Sequence, residues 1–372
     1  MRRFERDIGE NPMAVRSRWH ALLLASLLAT GLMASSCSGG GDVEVAATSS
    51  TVDEEAPEPS VQGTTETPSV TAPAESQGCA ADAVPKTGQQ ALDIRSDALE
   101  RVAGYYVPSN YDGETAVPLV INLHPYISPA NVQVSISGMH DLAEEQGFIT
   151  VEPQGLGEYP YWNVVRDPAL ADDVAFIEAV IDELANRLCI DERRVYATGH
   201  EMGSQMVTVL ACDLSDRITA IALVAGVYLP EPCDQQRPVP TVVYHGTEDT
   251  WQLYEGGIGP GSFVLPTDEQ TELLIAAIDV PGVIEFAEAW AEQNGCDGPT
   301  TQTSVAADVK LNLYQGCENN AAVLVYTVVG MAHAWPGTVE GQVFEEVIGA
   351  GSDAIDATES MWDFFQDHAI AG

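Results

Sequence analysis

Short apolar runs recur through the middle of the chain, each closed by a polar, glycine-rich or proline-rich break. Leu119-Val-Ile-Asn-Leu123, Phe148-Ile-Thr-Val151, Val195-Tyr-Ala-Thr198, Ile218 to Val224, Thr241-Val-Val-Tyr244 and Val323 to Val329 have the length and β-branched content of strands buried on both faces. Between Asp173 and Leu188 the period changes, with apolar residues at 174, 177, 181, 184 and 188 forming one helical stripe. Further helices are expected from Gly203 and over Ile284 to Gln293. Strands alternating with helices predict an α/β fold, a mostly parallel central sheet with helices on both faces. In such a sheet, function belongs at the C-terminal ends of the strands.

The N-terminal part follows other rules. Arg16 and Arg18 precede an uncharged run from Ala21 to Ala34, and Ala34-Ser-Ser-Cys37 follows. Basic, apolar and small-residue regions in that order read as an export signal over residues 1–36. The cysteine at the cleavage point resembles a bacterial lipobox, which makes Cys37 the expected lipidation site and a lipid anchor the only expected contact with a membrane. Residues 37–78 are rich in Ser, Thr, Pro, Gly and Glu and poor in large apolar side chains, so they are expected to form a flexible stalk. The folded domain is then expected over residues 79–372.

Charge narrows the function. With 56 acidic and 15 basic residues in the 372-residue chain, the net charge is −41. A chain so acidic does not bind nucleic acid by neutralising phosphates, nor dock on anionic lipid through a basic patch. Beyond Cys37, six cysteines remain: Cys79, Cys189, Cys212, Cys233, Cys296 and Cys317. An even number in an exported chain implies three disulfides, and composition leaves their pairing open. No C-x-x-C pair occurs, which argues against a zinc or dithiol redox centre. Neither a metal nor another cofactor is expected.

Three motifs follow expected strands. Val195-Tyr-Ala-Thr-Gly-His-Glu-Met-Gly203 reads as strand, sharp turn and helix, the frame of a G-x-S-x-G nucleophile elbow with Glu201 in the serine's place. His245-Gly-Thr-Glu-Asp249 comes next, then Gly330-Met-Ala-His333-Ala-Trp-Pro-Gly337. An acid that orients an imidazole, which in turn activates a nucleophile or water, needs residues of these types in mutual contact.

Taken in order, these segments resemble the polyhydroxybutyrate depolymerase and feruloyl esterase-like branch of the α/β-hydrolases, including its mycobacterial-type esterase lipoproteins. The resemblance runs from about Arg101 to Phe365. It rests on Tyr106-Val-Pro108, Pro118 to His124, Leu142-Ala, Gly147-Phe-Ile and Asp191 to Gly199. It continues through His245 to Asp249 with Tyr254-Glu-Gly-Gly257, Trp290 with Asn294-Gly-Cys296 and Cys317, His333 to Gly337, and Asp356 to Phe365. It implies an α/β-hydrolase fold, carboxylic ester hydrolysis, an ester-bearing polymer or small ester as partner, Asp249 as triad acid, His333 as triad base, and a Cys296–Cys317 pair. The oxyanion hole would use the amides of Met202 and Tyr126. Two residues depart from the branch's pattern: Glu201 replaces the serine, and Pro125 replaces the glycine after His124.

Glu201 leaves several readings open. Relatives on this fold that open alkyl halides and epoxides use aspartate at this position as a nucleophile. Glu201 could act likewise, or as a general base on water. A negative charge beside an oxyanion hole disfavours ester chemistry. Alternatively catalysis is lost, with Glu201 paired to His333 or bonded to the hole's amides, leaving a binding protein for a polymer, glycan or small ester. Ser204, one turn on, is a substitute nucleophile or a small residue at a tight helix–strand contact. The H-E-x-x-H metal motif fails because residue 204 is serine. His245 is expected to brace its turn. Trp251, Tyr254, Trp335 and Trp162 are candidates for an aromatic substrate groove, against core packing for each. The stretch from Thr250 to Glu285 either shapes the mouth or is a surface excursion.

Overall fold

The computed structural model describes residues 72–80, 86–338 and 345–371. The expected signal over 1–36, Cys37 and most of the expected stalk lie outside the described residues. The stalk's expected end moves, however. Residues 72–78 pack on the domain: the Ser76 amide donates to Ile190 O at 3.0 Å, its hydroxyl to Leu188 O at 2.7 Å, and Glu75 bridges Asp191. Gly78 sits so close to Leu188 that a Cβ there would fall 2.2 Å from its carbonyl oxygen. A polar stretch can therefore be ordered by backbone bonds to a strand edge rather than by apolar burial.

Ten strands form one sheet. They are β1 (Gly88–Ser96), β2 (Leu99–Val107), β3 (Val117–Leu123), β4 (Ile149–Pro153), β5 (Ile190–His200), β6 (Ala220–Val224), β7 (Thr241–Gly246), β8 (Thr301–Ala306), β9 (Val309–Tyr314) and β10 (Val323–Val328). Their spatial order is β1-β2-β4-β3-β5-β6-β7-β10-β9-β8. The six strands from β4 to β10 pair in parallel, and antiparallel hairpins flank them on both sides. This is the α/β-hydrolase fold. Alternation within the strands sorts the core into two layers. Helices α1 (Ala130–Ser137), α2 (Met139–Gln146), α3 (Asp173–Arg187) and α4 (Met202–Asp213) follow in chain order. Ile221 and Leu223 of β6 face one cluster with Phe176 and Val180 of α3, Met206 and Leu210 of α4, and Phe286 and Trp290 of a helix over Val283–Gln293. Ala222 and Val224 face the other, with Leu142 of α2 and Trp362 and Phe365 of the last helix, Ala357–Gln366.

Disulfides join Cys79 to Cys189, Cys212 to Cys233 and Cys296 to Cys317. The first fastens the N-terminal segment to the start of β5. Among the described residues no helix is long and apolar enough to cross a membrane.

Candidate active site

The chain turns sharply between β5 and α4, and Glu201 sits at the apex with φ 54° and ψ −115°. That backbone state costs a non-glycine residue about 1–3 kcal/mol and survives only where the surroundings enforce it. The glycines on either side allow the crowding. A Cβ on Gly199 would lie 2.5 Å from the Gly203 carbonyl carbon, and one on Gly203 would lie 2.4 Å from Leu123 O. Glu201 N donates to Val224 O at 3.0 Å, so the apex is also fixed to β6.

The Glu201 carboxylate turns back onto the backbone. Its Oε2 accepts from Met202 N at 2.6 Å and from Tyr126 N at 2.8 Å. These are charge-assisted bonds at the positive end of α4. Its Oε1 accepts no hydrogen bond from the described residues. Pro125 does not spoil the loop that supplies the second amide. His124 braces it: Nε2 accepts from Gly155 N at 2.8 Å, and Nδ1–H donates to Pro125 O at 2.8 Å. Burial holds the His124 pKa down at about 4 despite the Pro125 bond, so at neutral pH the ring is uncharged and this tautomer suits both partners.

Asp249 and His333 meet at the ends of β7 and β10, with Oδ2 2.8 Å from Nδ1. Asp249 Oδ1 also accepts from the amides of Trp251 at 2.8 Å and Gln252 at 3.0 Å. Burial opposes the carboxylate's charge, but His333 and His245 outweigh it and hold its pKa below the usual range. For His333 burial likewise opposes the charge, and Asp249, with a smaller contribution from Glu201, overcomes it, so its pKa is raised. The imidazole stacks on two rings, Trp251 at 5.2 Å and 6° and His200 at 4.9 Å and 25°. With Nδ1 held by Asp249, Nε2 is the nitrogen left to the cleft.

Two cavities, each about 330 Å³, share Glu201, Tyr126 and Leu265 in their linings. One runs under the segment 258–278, past Gln205, Gln252, Phe263 and Ile275. The other holds His200, His333 and Trp251 among apolar side chains that include Val132 and Val347. Tyr126 borders both, and its hydroxyl reaches up to Pro266 O at 2.9 Å and Thr271 Oγ1 at 3.1 Å. The stretch from Thr250 to Glu285 thus roofs a cavity in part.

Several protein sequences align with the chain. Feruloyl esterase B of Piromyces equi is 30% identical over 236 residues, which is 61% of this chain and 41% of that protein. A bifunctional acetylxylan esterase/xylanase of Neocallimastix patriciarum is 30% identical over 165 residues, 44% of this chain and 24% of that protein. A probable feruloyl esterase C of Aspergillus terreus is 25% identical over 301 residues, covering 78% of this chain and 91% of that protein. The chain thus spans less than half the length of the first two. Over 61% to 78% of its length it is similar to feruloyl esterases. No protein-family model matches it.

Within this cleft the aromatic candidates divide. Trp251 borders a cavity and stacks on His333. The other three do not line either cavity, because each finds a partner for its polar atom elsewhere. Trp162 is fully buried and donates to His124 O at 2.9 Å, bracing the Tyr126 loop from below. Trp335 is buried and donates to Thr358 Oγ1 at 2.8 Å. Tyr254 packs on His245 and bonds Thr327 Oγ1 at 2.7 Å. Ser204 is buried with its hydroxyl given to Gly226 O at 2.6 Å, which removes it as a nucleophile. His245 bonds Gln252 O at 2.9 Å and lies 3.3 Å from Asp249, bracing that turn.

Sequence reasoning missed the Gln205–Gln252 contact, 3.2 Å between side chains on the cavity wall. Gln205 carried a signal: a long polar side chain one turn beyond the elbow on a helix whose other polar residues in that turn are small. Among the described residues no group of three or more His, Cys, Asp and Glu is placed to hold a metal ion.

Proposed function

We propose that this protein is an exported, lipid-anchored member of the branch that recognises ester-bearing ligands without hydrolysing them by serine-type acyl transfer. On this reading Glu201 stands where the branch has its nucleophilic serine. Met202 and Tyr126 supply the oxyanion hole, and Asp249 and His333 are the remaining acid and base. The observation that carries it is the double acceptance by Glu201 Oε2. An oxyanion hole works by meeting negative charge that develops on a substrate oxygen. Here both donors already hold a full carboxylate oxygen. A substrate carbonyl would have to displace it and then build charge beside it. Removing even one donor from such a hole costs about 10²–10³-fold in rate. The cleft, the Trp251–His333 stack and the Asp249–His333 pair remain available to hold a ligand such as a feruloyl or acetyl ester. Export is supported by three disulfides and by the N-terminal signal, and the anchor by Cys37.

The test is hydrolysis of p-nitrophenyl acetate and methyl ferulate by the mature chain. The wild type is expected at the blank rate, and Glu201→Ser well above it. Wild-type turnover that Glu201→Ala abolishes would overturn the reading. Incorporation of labelled palmitate, lost in Cys37→Ser, tests the anchor.

A further inference from the structure

We propose that this centre opens small apolar epoxides, with Glu201 Oε1 as the nucleophile and a water activated by His333 completing the hydrolysis. The proposal rests on Glu201 standing at the nucleophile position, as argued above, and adds a reaction to it.

The arrangement that blocks attack on a carbonyl group favours attack at a saturated carbon. In displacement at an sp³ carbon the substrate makes no oxyanion that needs the hole. The hole can hold the nucleophile instead, and it does: two amides fix Oε2 at 2.6 and 2.8 Å, while Oε1 takes no hydrogen bond from the described residues. Glu201 and His333 border the same cavity of about 330 Å³, walled by Pro129, Val132, Ile136 and Trp251 among others. A carboxylate oxygen in such a place is poorly hydrated, and a small apolar electrophile fits the walls. An epoxide suits the centre because its leaving oxygen stays on the molecule and needs one proton. His333, oriented by Asp249 and stacked on Trp251 and His200, presents Nε2 for that transfer. The charge of Asp249 favours the protonated ring at rest.

The steps balance. A lone pair of Oε1 attacks a ring carbon, the ring C–O bond breaks with its electrons going to the ring oxygen, and that oxygen takes the Nε2 proton of His333. The product is a hydroxyalkyl ester of Glu201 whose carbonyl oxygen is Oε2, still held by Met202 and Tyr126. Neutral His333 then takes a proton from water as its oxygen adds to the carboxyl carbon. The oxyanion forms on Oε2, in the hole. Collapse breaks the bond between the carboxyl carbon and Oε1, and the departing alkoxide takes the proton from His333. The carboxylic acid left on Glu201 returns its proton to His333. The sum is epoxide plus water to diol, with no other reactant.

The experiment uses the mature wild-type chain and styrene oxide in water enriched in oxygen-18. Diol formation roughly 100-fold above the buffer rate is expected. The peptide containing Glu201 should gain the heavy isotope with turnover, and the first-turnover diol should carry none from the solvent. Glu201→Gln should lose the activity. Diol at the buffer rate, an unlabelled Glu201 peptide after turnover, or full activity in Glu201→Gln would each overturn the proposal. The isotope readout needs no variant. If the diol rate stays at the blank while Glu201→Ser gains ester hydrolysis, only the epoxide chemistry falls. If the wild type itself hydrolyses p-nitrophenyl acetate, the reading of the filled hole falls first.

Discussion

Replacing Glu201 by Gln isolates what the carboxylate charge does for the fold. The two side chains have the same length, and the glutamine carbonyl can still accept from Met202 and Tyr126. What is lost is charge assistance in two bonds of 2.6 and 2.8 Å. A hydrogen bond to a charged partner contributes about 1.5–3 kcal/mol and a neutral one about 0.5–1.5, so two bonds weaken by about 2 kcal/mol in all. The carboxylate also caps the N-terminus of α4, where negative charge is worth up to about 1 kcal/mol more. The strained backbone at φ 54° is common to both variants and cancels. At about 2 °C per kcal/mol for a domain of this size, the melting temperature should fall by about 4–6 °C. Calorimetry at neutral pH, with reversibility checked by a second scan, measures it. A melting temperature that is unchanged or higher in Glu201→Gln would refute the claim that the carboxylate is held by the two amides.

Three further outcomes follow from the same geometry. Asp249→Asn should drop the His333 pKa below 6.5, because burial then acts without the opposing carboxylate; imidazole NMR titration reads it, and an unchanged value would contradict the assigned contact. His124 titrates near 6.5 in the unfolded chain and at about 4 when folded, so its contribution is constant above pH 6.5 and is lost as pH falls, by about 3 kcal/mol at pH 4; the stability difference between wild type and His124→Gln should shrink accordingly in urea titrations. Loop entropy makes the Cys79–Cys189 bond, separated by 110 residues, worth about 5 kcal/mol, against about 3 for Cys296–Cys317, separated by 21; paired serine substitutions should shift the denaturant midpoint in that order.

The parallel centre of the sheet was legible because its strands are buried on both faces and their apolar runs are continuous. The flanking hairpins were not. In β1 only Leu92 and Ile94 are buried, and the turn into β2 uses Asp97 and Ala98 at φ 50° and 62°, without the glycine that usually marks such a turn. The elbow could be read from Gly199 and Gly203, whose spacing reflects a steric demand. The direction of the Glu201 side chain could not, because it depends on an amide 75 residues away. The aromatic residues near the motifs were ambiguous for a related reason. Trp335 and Tyr254 sit beside the His333 and Asp249 motifs in sequence and Trp162 stands apart, yet each turns its polar atom into the protein, and only tertiary contacts decide between bracing a loop and facing a ligand.

Tyr126 ties the elbow to the segment over the cleft by direct hydrogen bonds at both of its ends. Its amide is one of the two donors to Glu201, and its hydroxyl is bonded to Pro266 and Thr271 in the roof of the cleft. The roof therefore cannot lift without pulling on the same residue that grips the carboxylate. A ligand large enough to raise 258–278 would loosen that grip as it enters, whereas one small enough to slip beneath would leave it intact, so ligand size alone can set whether Glu201 is held or released.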